Sequence, residues 1–185
     1  MRDYTERIWA EQNRHDGDRH RLFGSLAQTI EVRKVLYPGS WADISASFVF
    51  NDVTYVDSDR RAKRFFSDRA GIDELVARER AADNGARWSF MAMDYESDLG
   101  LPEESMDLLI SLYAGPISVT CTDYLRVGGS LLANSSHGDA ALASLDTRYE
   151  LRAAVLSRSG SYKVTTQDLE QWMIAKHQLP DRDEI

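Results

Sequence analysis

One cysteine, Cys121, is all the sequence contains. An internal disulfide and a cysteine metal cluster within one chain are therefore excluded. Beside Thr120 and Thr122, this thiol reads as a small packed residue. Long apolar runs are missing: no stretch approaches the roughly 20 residues that a spanning helix needs. The opening segment, MRDYTERIWAEQNRHDGDRH, is charged throughout and lacks the apolar core of a secretory signal, so a cytoplasmic protein without membrane contact is expected. Basic residues are the minority, 22 against 30 acidic, and the resulting charge of −8 argues against general nucleic-acid binding. The four histidines show no metal-ligand spacing, so no metal is expected, and there is no Gly-x-x-x-x-Gly-Lys phosphate loop.

What is present suits one domain. At 185 residues and 43% hydrophobic composition, the chain can bury a core without splitting in two. Leu22, Phe23, Leu26 and Ile30 recur at helical spacing, after a break at Asp16-Gly17-Asp18 where either aspartate is suited to cap. The period then changes. Val32 to Tyr37 reads as a buried strand ending at Pro38-Gly39-Ser40, with a short helix through Ile44, Phe48 and Val49. Val53 to Val56 is a second strand ending at Asp57, and Ser58 caps a helix burying Ala62, Phe65 and Phe66. Arg60, Arg61, Lys63 and Arg64 fall on its solvated side. Ile72, Leu75 and Val76 lie on a further helix, stopped by Asn84-Gly85.

Trp88 to Met93, ending at Asp94, and Met106 to Leu112 read as the third and fourth strands. Gly128-Gly129 reads as a turn into a fifth, Ser130 to Ala133. Leu151 to Leu156 and Ser161 to Val164 flank Gly160 as an antiparallel hairpin. A final helix capped by Thr165 or Thr166 is expected to bury Leu169, Trp172 and Met173. Strands alternating with helices predict an α/β fold: a doubly wound, mostly parallel seven-stranded sheet with a C-terminal antiparallel hairpin and helices on both faces. Residues 1–31 form an N-terminal helical extension, 32–165 the core, and 166–185 a C-terminal helix and tail.

Four segments in this order resemble the class I, Rossmann-like S-adenosylmethionine-dependent methyltransferases: KVLYPGSWAD, VTYVDSD, MDYESDLGLPEESMDLLIS and YLRVGGSLLAN. The resemblance spans about Val32 to Val164. It implies a cofactor, S-adenosylmethionine, lying across the carboxyl ends of the strands where their order reverses. Carried over position by position, it places Tyr37, Gly39 and Ser40 of the first loop, Asp57 and Ser58 after the second strand, and Asp94 and Tyr95 after the third around that cofactor. Asp57 would accept the ribose hydroxyls and Asp94 the adenine amino group, with Tyr95 against the ring. Plainer readings stand beside these: Asp57 as a charge that starts a helix, Asp94 as a turn residue.

The first loop departs from the family pattern. Tyr37 stands where an acid belongs; Gly39 matches the first glycine; Trp41 and Asp43 occupy the next two glycine positions. Asp43 is a substitute partner for the cofactor's ammonium group or, more plainly, a helix cap. SLYAGPIS after the fourth strand carries no catalytic signature, so no catalytic residue is assigned. Two functions follow: methyl transfer to a small acceptor, or a catalytically inactive relative that binds another ligand or a protein partner. NAD-dependent reduction is weakest, because its glycine fingerprint is absent.

Overall fold

A computed structural model of the chain describes residues 2–80 and 85–173. The order is α1 (Arg2–Gln12), α2 (Asp18–Ala27), β1 (Val35–Pro38), β2 (Asp52–Val56), α3 (Arg60–Phe66), α4 (Arg69–Glu79), β3 (Arg87–Met91), β4 (Met106–Ser111), α5 (Ile117–Thr120), β5 (Leu125–Ala133), α6 (Asp139–Leu145), β6 (Ala154–Arg158) and β7 (Ser161–Thr165). A 3-10 turn, Ser45–Phe48, lies between β1 and β2.

Five strands form a parallel sheet in the order β3-β2-β1-β4-β5. The chain moves outward from β1 through β2 to β3, then crosses back to lay β4 on the other side of β1. That reversal puts the carboxyl ends of β1 and β4 side by side with loops diverging from them.

Both faces are covered, so the central strands read as near-continuous apolar runs rather than alternating ones. Val35, Tyr37, Val53, Tyr55, Leu108 and Ile110 meet α1, α2, α3 and α4 on one face. Leu36, Val56 and Leu109 meet Ile117 and Cys121 on the other. Phe66 anchors the first layer, stacked on Phe90 at 4.2 Å between ring centres and edged by Phe65 at 5.2 Å. The basic residues of α3 stay exposed, as their spacing requires.

Four details differ from the sequence expectation. Seven strands are present but not in one sheet: β6 and β7 form a separate antiparallel hairpin. It packs on α2, where Arg21 Nε donates to the Gly160 carbonyl at 2.7 Å, Ser25 Oγ to the Tyr162 carbonyl at 3.2 Å, and Tyr162 Oη to Asp18 Oδ2 at 2.8 Å. Second, Gly128-Gly129 is no turn before β5. It lies within β5, where the register against β4 jumps from Met106↔Leu125 to Leu108↔Ser130, and Gly128 takes the φ of 76° that the bulge demands.

Third, capping is shifted. Asp59, not Ser58, caps α3 by accepting from Arg61 N and Ala62 N, and Gly17 rather than an aspartate stands at the N-cap of α2. Fourth, the final helix is a 3-10 turn, Leu169–Trp172, that leaves Trp172 and Met173 exposed. Only three residues separate β7 from that turn, too few to bring it back over the core. Asn84 and the tail after Met173 lie outside the described residues.

Cys121 is fully buried behind α5. Burial, reinforced by the Asp139 charge, raises its thiol to about 11. At pH 8 only about one thiol in a thousand is then ionised. The folded protein should therefore resist a disulfide-exchange reagent such as DTNB at pH 8 and release one thiol per chain in denaturant. Rapid labelling of the native protein would contradict the burial.

Candidate functional site at the carboxyl edge

The first loop is built on a close approach. Gly39 has φ 62°, and a Cβ there would lie 2.5 Å from Ala114 Cβ, beyond β4. No other residue fits that contact and that backbone together. The Gly39 N–H still donates to the Val56 carbonyl at 2.8 Å, holding the loop to the end of β2.

Asp57 completes the tie. One of its carboxylate oxygens accepts from Trp41 N at 2.7 Å and the other from Asp59 N at 2.7 Å. It therefore fastens the first loop to the start of α3. An ionised carboxylate offers about four acceptor sites, and two remain. Asp57 is half-buried at the edge of the switch point, as its place after β2 predicts. Ser58 beside it is exposed.

Trp41 takes a left-handed conformation, φ 47°, at a position where a glycine was expected. Asp57 holds its N–H in that geometry, and Arg61 lies 5.2 Å above its ring. Two polar atoms here are buried with no partner: Ser40 Oγ and Trp41 Nε1. Ser40 is only 3% exposed. Buried polar groups in folded proteins are nearly always bonded, so these two adjacent atoms need a partner that the described residues do not supply.

Asp43 is 1% exposed and turned inward. It accepts from Tyr37 Oη at 3.0 Å and from Ser45 N at 2.9 Å, just ahead of Ile44, which stands at the N-cap of the 3-10 turn. Tyr37 is a core residue whose ionisation is pushed well above the usual range, first by burial and then by the Asp43 charge. Tyr55 fixes the same turn, donating to the Ile44 carbonyl at 3.1 Å and accepting from Ser47 N at 3.0 Å.

After β3, Asp94 is exposed and closes its own turn by accepting from Glu96 N at 3.0 Å. Tyr95 wedges between the loops: its ring lies 3.8 Å from a Cβ built on Gly39, and its hydroxyl accepts from Gly115 N at 3.3 Å. Burial raises the ionisation of that hydroxyl, so it stays protonated at neutral pH. After β4, Tyr113 is 66% exposed with φ 62°. The Arg19 guanidinium of α2 sits 4.9 Å from its ring, which brings the start of α2 to this edge.

Sequence reasoning missed Asp139. This residue is wholly buried at the start of α6, accepting from Ser111 Oγ, from Ser118 Oγ at 2.5 Å and from Ser118 N at 3.1 Å. It locks the end of β4 to α5. No spacing pattern marks three residues so far apart in the chain. Two shallow cavities, about 180 Å³ beside Lys34 and Asp52 and about 550 Å³ beside Asp98 and Asp123, lie away from this edge and gather no unpartnered donors.

No protein-family model and no curated protein matches the sequence. Solved structures do match the fold. One is a protein of Corynebacterium glutamicum, 15% identical, with 89% of each chain covered and a TM-score of 0.52. Another, from Klebsiella pneumoniae, is named for a proposed O-methyltransferase activity; it is 12% identical, with 87% of this chain and 86% of that one covered and a TM-score of 0.54. At these identities the likeness establishes the fold alone, a Rossmann-like α/β fold shared with both proteins.

Proposed function

We propose that this chain uses its Rossmann-like methyltransferase fold to bind S-adenosylmethionine across the carboxyl ends of β1, β2 and β3, and to transfer its methyl group to a small acceptor. The observation that carries the reading is Ser40: a buried, unpartnered hydroxyl in the loop that Asp57 fastens at the switch point. Gly39 and Ser40 would hold the cofactor from the first loop, Asp57 and Ser58 from the second, Asp94 and Tyr95 from the third. The two spare acceptor sites of Asp57 suit a pair of ribose hydroxyls. Tyr37 acts at one remove, by keeping Asp43 in the core.

The cofactor supplies an activated methyl group. The chain's part is to position the acceptor against it, and such transfer to a good nucleophile needs little beyond orientation. No acid is available for the cofactor's ammonium group from Asp43, which is buried and already doubly bonded.

Trp41 favours the second reading, a binding protein without activity, because its ring occupies the position of a loop glycine. Calorimetric titration with S-adenosylmethionine and its demethylated product separates the two. Micromolar binding by the natural protein supports the enzyme. Trp41→Gly takes the indole ring out of the loop's glycine position, so it should bind about three- to tenfold tighter, the equivalent of roughly 1 kcal/mol of removed crowding. Binding by Trp41→Gly alone, with none by the natural protein at millimolar cofactor, would establish the inactive reading.

A further inference from the structure

We infer that Arg19, Tyr113 and the indole N–H of Trp41 form an oxyanion subsite, which takes the carboxylate or phosphate group of a planar ligand. On the methyl-transfer reading, from which this part follows, that ligand is the acceptor.

The unmatched groups here are donors. An indole N–H can only donate, so whatever meets Trp41 Nε1 presents an acceptor atom. Arg19 adds a guanidinium whose side chain is 21% exposed and which makes no hydrogen bond among the described residues. Its single ion pair, Nε to Asp43 Oδ2, is 3.7 Å long. Asp43 takes its hydrogen bonds from Tyr37 and Ser45, so at this distance the arginine balances its charge and keeps its own donors free. A planar fork of donors in such a setting matches a carboxylate or a phosphate in two-point contact.

The aromatic side of the subsite is as specific. Tyr113 and Trp41 stand at the ends of β4 and β1, the two strands that flank the switch point, and both have left-handed backbones. Large side chains seldom adopt that conformation, and residues that do so collect at ligand sites. Each ring has a guanidinium over it: Arg19 on Tyr113, Arg61 on Trp41. The exposed ring of Tyr113 offers a flat surface beside the arginine. In a chain of net charge −8, positive charge gathered at the sheet's ligand edge discriminates among small anions. Asp43 is turned inward to Tyr37 and Ser45, and Asp59 is held by the start of α3.

The test titrates the full chain with benzoate, phenyl phosphate, acetate and inorganic phosphate. Benzoate and phenyl phosphate should bind about three- to tenfold tighter than acetate and inorganic phosphate, the worth of one stacked ring. The preferred pair identifies which anionic group the ligand carries. Arg19→Gln should weaken benzoate about ten- to hundredfold, and Arg19→Lys should recover only part of that, since an ammonium lacks the fork. Tyr113→Ala should erase the aromatic preference and leave acetate unchanged; because Tyr113 is exposed, this variant decides the matter if Arg19→Gln does not fold. Unchanged benzoate binding in folded Arg19→Gln, or in Tyr113→Ala, overturns the subsite. S-adenosylmethionine is titrated in parallel. Its failure to bind beside intact benzoate binding ends the methyl-transfer reading and keeps the subsite. Its loss in Arg19→Gln overturns the assignment to the acceptor, since the guanidinium would then serve the cofactor.

Discussion

Asp57→Ala is expected to weaken S-adenosylmethionine binding about ten- to hundredfold, from the roughly 1.5–3 kcal/mol that hydrogen bonds to a charged group are worth. The carboxylate does two things in the fold, and the experiment has to separate them. It fastens Trp41 N and Asp59 N, and it leaves two acceptor sites at the switch point. Loosening the loop and losing the ribose acceptors would both lower affinity. Adenosine, which has the ribose and lacks the methionine, discriminates. If the ribose is the lost contact, adenosine and S-adenosylmethionine weaken by the same factor. If the first loop has merely loosened, the cofactor suffers and adenosine does not. Micromolar binding by the natural protein with equal affinity in Asp57→Ala would place the site elsewhere.

Asp139→Ala should be the most destabilising single change in the carboxyl half, about 3–5 kcal/mol in urea unfolding. The side chain is fully buried and accepts from three donors, two of them on Ser118 and one on Ser111. Ser111 and Ser118 are themselves 2% and 1% exposed, so water cannot replace the carboxylate. Asp139→Asn keeps the shape and one acceptor oxygen, and should lose about half as much. A loss below about 1 kcal/mol for Asp139→Ala would mean that both hydroxyls find new partners by rotation. Because Ser111 is the last residue of β4, a loosened Asp139 should also move Tyr113 two residues on. The aromatic preference for benzoate then falls even though no subsite residue has changed.

The parallel sheet was legible because its strands are apolar on both sides and are separated by helical segments, as at Val53 to Val56 and Met106 to Ser111. The carboxyl edge was legible where a buried strand runs straight into a polar residue, as Val53 to Val56 does at Asp57. Other features depend on contacts that no local pattern encodes. The hairpin announces itself through Gly160, but nothing near it says whether it extends the sheet or rests on α2; Asp18, Arg21 and Ser25 decide that from far away. Gly128-Gly129 looks the same whether it makes a turn or a bulge. Trp41 departs visibly from the glycine pattern, but the bond from its N–H to Asp57, sixteen residues on, leaves no local mark. The Asp139 cluster gave no signal, since two serines and an aspartate at unrelated spacings resemble any surface.

The hairpin's place on α2 also sets the order in which the molecule can be finished. α2 precedes every described strand, yet the partners that hold it through Asp18, Arg21 and Ser25 lie 144, 139 and 137 residues downstream. Arg19 sits between the first two of these anchors. The parallel sheet can assemble before β7 exists, but the helix that carries the guanidinium gains those anchors only when nearly all of the described chain has been made. A nascent chain whose sheet forms first therefore holds α2 without those anchors, and the wait for β7 is the interval in which the apolar face of α2 most needs shelter.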